Sequence, residues 1–147
     1  MAIRDICEKN VLTVPKDTSI TEAAKLMKKH NVGNVVIVEN NTNIKNHPIG
    51  ILTDRDIVLK IVADEENANQ ISVADAITNE PFLLKGHQSI NEALEMMCAK
   101  AVRRAPIVDN YDQVIGIVST DDLLILMAEE LSTLAKLIHK QTANVNH

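Results

Sequence analysis

Aromatic side chains are almost missing from this sequence: its 147 residues include one phenylalanine, Phe82, one tyrosine, Tyr111, and no tryptophan. A protein that stacks the successive bases of a single strand needs several aromatic platforms. The formal net charge is −5 at pH 7, whereas a protein that binds the phosphate backbone relies on a basic face. The sequence therefore predicts no nucleic-acid partner.

Long apolar runs are also lacking, and none is long enough to cross a membrane as a helix. The first residues include Asp5 and Glu8 where an export signal would be apolar. The two cysteines, Cys7 and Cys98, lack metal-binding spacing, and the five histidines are never three or four residues apart. We therefore expect a cytoplasmic protein without a metal site and with two free, half-buried thiols.

What the sequence does contain is an internal repeat. Residues 9–40 align with residues 79–110 at nine identical positions, where unrelated segments would match at about two. The first copy then has four extra residues in a polar stretch, after which residues 49–57 align with 115–123. Because an insertion confined to a turn-like stretch is what a duplicated unit tolerates, we infer a duplication.

Each copy predicts the element order β-α-β-β-α. The first helix begins at Ser19 or Ser89 with a glutamate three residues later, which is the pattern of a capping box. Residues 64–72 form a polar connection between the copies. Apolar runs and helical periodicity place the remaining elements at 11–14, 35–38, 48–52 and 54–63 in the first copy and at 81–84, 105–109, 113–118 and 120–139 in the second.

One such unit is marginal alone, because small domains bury a low fraction of their surface. The strands are apolar on both faces, so each sheet needs a cover on both sides. We therefore expect an α/β (α+β) fold in which two β-α-β-β-α repeats pack sheet to sheet about a pseudo-two-fold axis. The repeats are residues 1–66 and 67–130, and residues 131–147 form a helical extension and tail.

Two segments carry a resemblance to a known family. They read G-I-L-T-D-R-D-I (50–57) and G-I-V-S-T-D-D-L (116–123), and each is preceded by an apolar strand, N-V-V-I-V or A-P-I-V-D. This arrangement resembles a tandem pair of CBS domains and covers residues 3 to about 130. The resemblance implies a regulatory module that binds AMP, ADP, ATP or S-adenosylmethionine in two clefts between the repeats and that commonly dimerises into a flat disc.

The corners T53-D-R-D56 and S119-T-D-D122 place a hydroxyl three residues before a carboxylate. One interpretation is a capping box, in which Thr53 or Ser119 caps the following helix and the aspartate side chain accepts a hydrogen bond from the backbone N–H of the capping residue. The other is a ligand site, because a carboxylate offers two acceptor oxygens to the two hydroxyls of a ribose. By resemblance, Asp56 and Asp122 are the ribose anchors, and the hydroxyl residues bind near the ribose or phosphate. The two interpretations are compatible.

The arginines separate the two clefts. By resemblance, Arg103 and Arg104 face the ligand phosphates, whereas their counterparts Gly33 and Asn34 carry no charge. A guanidinium pair can fork onto phosphate oxygens, although a surface pair can also be merely solvated. We therefore expect the main cleft around Asp122. The resemblance implies that it contains Thr18, Ala23, Asn34, Arg103, Arg104, Ile117, Ser119, Asp121 and Asp122.

The second cleft, around Asp56, is the weaker candidate. Gln88 stands where the family often has threonine, and Arg55 supplies the charge. Apolar positions such as Ile51 and Ala93 are more often core than the wall of a ligand site. The second cleft is thus expected to contain Ile51, Thr53, Arg55, Asp56, Gln88 and Ala93.

The last predicted helix carries an apolar stripe beyond the repeat, and this stripe either packs on its own domain or contacts a second copy. We expect a non-enzymatic homodimeric sensor whose effector is an adenosine-containing nucleotide and which acts on an unidentified downstream protein. The alternative is a ligand-free structural module for dimerisation and protein interaction. No activated nucleophile or metal constellation favours an enzyme.

Overall fold

Two successive units with the same element order make up the chain. The computed structural model describes residues 1–40, 43–77 and 80–145. The first unit contains β1 (Thr13–Pro15), α1 (Ile20–His30), β2 (Asn34–Glu39), β3 (His47–Thr53) and α2 (Asp54–Ile57). After α3 (Val73–Ala76), the second unit contains β4 (Leu84–Lys85), α4 (Ile90–Lys100), β5 (Arg104–Val108), β6 (Val114–Ser119) and α5 (Thr120–Val145). The predicted repeat of β-α-β-β-α units is confirmed.

The helices α1 and α4 begin and end in the same way. The side chains of Ser19 and Ser89 accept a hydrogen bond from the backbone N–H of Glu22 and Glu92, so both serines are N-caps. Both helices run for 11 residues and end at a residue in the left-handed region, Asn31 or Ala101. These caps fix the residues at which each helix begins and ends.

Each unit forms a three-stranded sheet, ordered β1-β2-β3 or β4-β5-β6. In both sheets the first pair is parallel, the second is antiparallel, and a register shift follows Ile37 or Ile107. The middle strand β2 is buried from Val35 to Val38, and β3 contacts β5 of the other sheet. The sheets therefore cover each other, as the two-sided apolar strands predict.

The segments that open the two units are exchanged between the two cores. Ile3 belongs to the core of the second unit, where its N–H donates to Gln88 O (2.8 Å). Conversely, Val73 belongs to the core of the first unit, where its N–H donates to Thr18 O (2.7 Å). Each core is therefore completed by a segment that belongs, in sequence, to the other repeat.

Two glycines at corresponding positions permit this exchange. A Cβ at Gly50 would collide with the side chain of Ile77, and a Cβ at Gly116 would collide with the side chain of Cys7. Because glycine has no Cβ, the exchanged segments can lie directly on β3 and β6.

The helix expected over 54–63 is confirmed as a continuous helical segment, which consists of α2 followed by a π-helical turn, Val58–Val62. Two other sequence predictions about these elements are wrong. The strand expected over 81–84 is reduced to β4, which begins at Leu84. Cys98 is exposed, because it lies on the outer side of α4, whereas Cys7 is half-buried as expected.

The C-terminal helix is longer than predicted and mostly unpacked. It continues to Val145 instead of ending near residue 139. Leu123 is its one fully buried side chain among the described residues, and from Met127 onward every described side chain of α5 is exposed. Packing of the apolar stripe on its own domain, one of the two alternatives above, is therefore wrong.

The hairpin between β5 and β6 contacts the start of β3. Val114 N–H donates to Asn46 O (3.1 Å), and the His47 ring donates from Nδ1 to Asp112 O (3.1 Å). Lys85 forms an ion pair with the Asp112 side chain, and this ammonium lowers the pKa of the Asp112 carboxyl. Residues 41 and 42 of the polar insert lie outside the described residues.

None of the described helices combines the length and the apolar character that a bilayer crossing needs. Within the described ranges, no three His, Cys, Asp or Glu side chains are grouped so that they could hold a metal ion.

The exchange predicts that a change in the N-terminal 3-10 turn, Ile3–Asp5, destabilises the second unit. Ile3 is completely buried, so Ile3→Ala should lower the free energy of unfolding by about 2–5 kcal/mol, as measured by urea denaturation. Met1→Ala is the matched control, because Met1 is largely exposed and its truncation should leave the midpoint unchanged. An Ile3→Ala variant that is as stable as the wild type would contradict the exchanged packing.

The Lys85–Asp112 pair predicts a pH dependence of stability. Because the folded pKa of Asp112 lies below the unfolded value of about 3.9, its stabilising contribution is complete above that value and is lost as the pH falls through the folded pKa. The difference in unfolding free energy between wild type and Asp112→Asn should therefore shrink between pH 6 and pH 2. Asp64→Asn is the control for the loss of one exposed carboxylate, because Asp64 lies in the connection between the units. Its effect on the unfolding free energy should not change with pH in this way. A difference that stays constant with pH would contradict the pair.

Candidate functional site

Both strand-to-helix corners form capping boxes. At the first, Asp56 N–H donates to Thr53 Oγ1 (3.1 Å), and Thr53 N–H donates to Asp56 Oδ2 (3.0 Å). At the second, Asp122 N–H donates to Ser119 Oγ (3.1 Å), and Ser119 N–H donates to Asp122 Oδ2 (3.3 Å). In each box the cap occupies one carboxylate oxygen, Oδ2, so the other oxygen is left for a second interaction. The two interpretations of these corners are thus compatible in the structure.

A cavity of about 600 Å³ lies where the two units meet. The first unit contributes Ile51 and the corner 53–56, and the second contributes residues 101–104 and 119–121. A smaller cavity of about 170 Å³ shares Ile51, Asp56, Val102 and Arg104 with it. We refer to these two cavities together as the Asp56 cleft.

The smaller cavity of the Asp56 cleft has an apolar wall. Besides the shared residues, it is lined by the apolar side chains of Ile77, Pro81, Phe82 and Pro106, and by Gly50, Lys60 and Glu80. Ile77 packs on the core of the first unit and Phe82 packs on the core of the second, so this wall draws on both units. The cleft therefore combines an aromatic and aliphatic wall with a charged opening.

The charged end carries as many guanidinium groups as carboxylates, namely Arg55, Arg103 and Arg104 with Asp54, Asp56 and Asp121. Arg103 lies 3.5 Å from Asp121, but both side chains are more than two-thirds exposed, so this pair holds Arg103 only weakly. Arg104 is half-buried and forms no ion pair with another described residue. Both arginines are thus accessible to an anion.

Lys60 is a cleft residue that the sequence analysis missed. Its ammonium donates to Ala76 O (3.2 Å) and lies 3.7 Å from Asp56 Oδ1, the oxygen that the cap does not use. The π-helical turn carries this side chain, and such turns often occur at functional sites. The sequence could have predicted the Lys60–Asp56 ion pair, because side chains four residues apart share one helix face.

Asp122 lies in different surroundings. It lines a cavity of about 260 Å³ together with Cys7, Glu8 and Glu129, so that three carboxylates border one space. Backbone hydrogen bonds in both directions, each 3.0 Å, join Glu8 to Ile117, so the N-terminal segment covers the end of β6. Burial in this position raises the pKa of the Cys7 thiol.

The structure groups the expected site residues differently from the sequence. Arg103, Arg104, Ser119 and Asp121 line the cleft of Asp56, whereas they were assigned to the cleft of Asp122. The reason is the crossing of the sheets: β5 contacts β3, so the start of β5 faces the corner of the first unit. The sequence cannot reveal which corner a strand faces across a sheet-to-sheet interface.

Other expected residues lie away from the Asp56 cleft. Ala23 and Ala93 have no exposed surface and belong to the two cores, so neither lines the Asp56 cleft or the Asp122 cavity. Ile51, at an apolar position of the kind that is more often core, lines the cleft. The remaining four have structural contacts, namely Thr18 O with Val73 N, Gln88 Oε1 with Lys85 N (2.8 Å), Asn34 with Thr53 in the β2–β3 pair, and Ile117 with Pro106 in the β5–β6 pair.

Comparison with known proteins gives two matches to one family model, the CBS domain, over residues 3–63 and 73–129. A protein of Methanopyrus kandleri, MK0525, is 34% identical over 124 residues, which are 84% of this chain and 61% of that protein. The chain therefore spans less than two-thirds of that relative. The CBS domain-containing protein YhcV of Bacillus subtilis is 36% identical over 124 residues, 84% of either chain.

The fold is also similar to a solved structure with bound ligands. The CBS domain pair of protein MJ0100, in complex with methylthioadenosine and S-adenosyl-L-methionine, superimposes with a TM-score of 0.72 at 25% identity. The match covers 88% of this chain and 98% of that one.

The capping box at the first corner predicts a measurable loss. Thr53→Ala should lower the free energy of unfolding by about 1 kcal/mol, because Asp56 N–H loses its acceptor. Thr53→Ser, which keeps a hydroxyl, should retain most of the stability, and urea denaturation compares the two. Equal losses in both variants would indicate that the methyl group of Thr53, and not the cap, is what matters.

Proposed function

This chain belongs to the CBS-domain family, as a tandem pair, and from this we propose that it is a regulatory module that binds an adenosine-containing nucleotide in the Asp56 cleft. The observation that carries the proposal is the convergence in one cleft of a carboxylate, a guanidinium pair and an apolar wall. These are the three groups that a ribose, a phosphate and a purine base require.

The ribose would bind to Asp56. Its Oδ2 is held by Thr53 N–H, which fixes the orientation of the carboxylate, and Oδ1 lies toward Lys60. A diol can donate to Oδ1 while the cap remains intact. Positioning by the cap means that the helix terminus and the ligand share one carboxylate without competing for the same oxygen.

The phosphates would bind to the arginines. Arg104 is half-buried beside Asp56 and has no carboxylate partner among the described residues, so it offers a fork to phosphate oxygens. Arg103 and Arg55 border the wider part of the same cleft. The volume of about 600 Å³ falls within the range of about 300–1,000 Å³ that is typical of small-molecule pockets.

The adenine would lie against the apolar wall. Phe82 offers a ring for stacking, and Ile77 and Pro106 complete an aliphatic surface. The similar domain pair that binds S-adenosyl-L-methionine and methylthioadenosine supports the adenosine part of the ligand. Neither of those compounds carries a phosphate, whereas the accessible Arg104 favours AMP, ADP or ATP in this chain.

Regulation follows from the position of the cleft between the units. Asp56 belongs to the first unit and Arg104 to the second, so one ligand that contacts both favours the arrangement in which they are close. A ligand shifts such an equilibrium only by its difference in affinity for the two arrangements. We propose that the resulting change in shape, in a cytoplasmic homodimer without catalytic activity, controls a downstream protein.

The cavity at Asp122 fits a ligand with less negative charge. Glu8 and Glu129 lie beside Asp122, and three carboxylates disfavour a phosphate. We therefore propose the Asp122 cavity as the weaker of two sites. A ligand-free structural module remains the second candidate function, because the exposed stripe of α5 needs a partner whether or not a nucleotide binds.

Thermal unfolding with millimolar AMP, ADP, ATP or S-adenosylmethionine tests the proposal. A ligand at 100 times its dissociation constant should stabilise the protein by about 2.7 kcal/mol, which raises the midpoint by several degrees. Arg104→Ala and Asp56→Asn should each weaken binding at least tenfold in isothermal titration. Asp122→Asn is the matched control, because Asp122 is the corresponding carboxylate but does not itself line the Asp56 cleft, so this change should leave the tight site unchanged.

Two outcomes would contradict the proposal in different ways. If none of the four compounds shifts the midpoint, the chain is not an adenosine sensor and the structural module gains support. If Asp122→Asn abolishes binding while Asp56→Asn and Arg104→Ala do not, the ligand binds but the assignment to the Asp56 cleft is wrong.

A further inference from the structure

Lys60 brings a hydrogen-bond donor to the one oxygen of Asp56 that the cap leaves free. Its Nζ lies 3.7 Å from Asp56 Oδ1, which is too long for a hydrogen bond, so the two groups form an ion pair with a gap between them. The side chains of Lys60 and Asp56 are only 38% and 29% exposed. Solvent therefore screens this pair less than it screens pairs on the outer surface.

A hydrogen bond to the backbone holds the ammonium of Lys60 in this position. Nζ donates to Ala76 O (3.2 Å), and Ala76 belongs to the core of the first unit. An ammonium has three N–H groups, so two remain after this bond is made. The side chain is thus ordered before a ligand arrives, which reduces the conformational entropy lost on binding.

Lys60 and Asp56 together match the hydrogen-bonding capacity of a hydroxyl group. A hydroxyl donates one hydrogen bond and accepts others, whereas a carboxylate can only accept and an ammonium can only donate. A hydroxyl oxygen about 2.8 Å from Nζ and from Oδ1 completes a triangle of normal hydrogen-bond lengths across the gap. Both residues line the smaller cavity, beside Arg104. The pair is therefore complementary to one hydroxyl of a ligand in the Asp56 cleft.

The second corner lacks this donor. The alignment of residues 49–57 with 115–123, continued by three residues, places Leu126 at the position that corresponds to Lys60. Leu126 lines the Asp122 cavity, and its side chain has no group that can donate a hydrogen bond. The backbone differs as well, because Lys60 lies in the π-helical turn and Leu126 lies in α5. Of the two corners, only the first therefore pairs its carboxylate with an ammonium four residues later.

We propose that Lys60 is a specificity-determining residue, which donates to the ribose hydroxyl whose own proton is accepted by Asp56 Oδ1. This role rests on the proposed binding of a nucleotide in the Asp56 cleft, and it adds a preference for ribonucleotides over their deoxy forms. A ligand without the hydroxyl leaves the ammonium and the carboxylate unpaired, and a site built to bind a hydroxyl rejects such analogues. The preference belongs to the Asp56 cleft and not to the Asp122 cavity.

Paired binding measurements test the proposal. Isothermal titration compares AMP, ADP and ATP with their 2′-deoxy and 3′-deoxy forms. In the wild type, the form that lacks the bound hydroxyl should bind more weakly by about tenfold or more, which corresponds to the loss of one charge-assisted hydrogen bond. Lys60→Met should reduce this preference by about threefold or more, because the hydroxyl loses its donor. Lys60→Leu, which introduces the side chain of the corresponding position, should have the same effect.

Lys25→Met is the matched control. Lys25 also forms an ion pair within one helix, at 3.6 Å from Glu22, but it lines neither cavity of the Asp56 cleft. This variant should keep the full preference for the ribose form. Because the preference is a ratio of two affinities measured on one variant, a general loss of stability or of affinity cancels.

Adenosine separates a contact with the ribose from a contact with phosphate. If Lys60 binds the ribose, Lys60→Met should weaken the binding of adenosine and of AMP by the same factor. A loss for AMP without a loss for adenosine would assign the ammonium to the phosphate and overturn the proposal.

Two further outcomes would overturn the role of Lys60 while the proposed function stands. The first is a wild type that binds both deoxy forms as tightly as the parent nucleotide, because the pair then holds no ribose hydroxyl. The second is an unchanged preference in Lys60→Met and Lys60→Leu, because Asp56 then acts without the lysine. If none of the three nucleotides binds to the wild type, the proposed function fails and the role of Lys60 fails with it.

Discussion

The exchange of opening segments is the constraint on which the rest of the molecule depends. Ile3 completes the core of the second unit, and Val73 completes the core of the first. Neither unit can be removed without opening the other, so the two sheets are joined by core packing as well as by surface contact. This arrangement brings Asp56 of one unit and Arg104 of the other into the same cleft.

The duplication explains the similarity of the two halves, and small differences explain why the halves are not equivalent. Both corners have the same capping box, and both sheets have the same order and register shift. The asymmetry arises one step before the middle strand, where Gly33 and Asn34 correspond to Arg103 and Arg104. The Asp56 cleft therefore contains this guanidinium pair, whereas the Asp122 cavity is lined by three carboxylates.

Much of the fold could be predicted from the sequence, because it depends on local signals. Ser19 and Ser89 cap helices as expected, and the apolar runs form the buried strands. The cleft could be predicted only in its parts. Thr53, Asp56 and Arg104 were identified, but the corner that Arg104 faces depends on how two sheets cross, which no local pattern encodes. The burial of Ala23 was missed for a different reason: a small residue on a helix suits a ligand wall and a core equally well.

The continuity of α5 gives the second corner a mechanical property that the first lacks. Thr120 and Asp121 border the Asp56 cleft and are also the first residues of a 26-residue helix about 39 Å long. The first corner, by contrast, leads into the four-residue helix α2 and a π-helical turn. A rigid rod rotated by about 5° at its base moves roughly 3 Å at its tip, given that length. The second unit thus has a lever arm that converts a small adjustment beside the cleft into a displacement far from it.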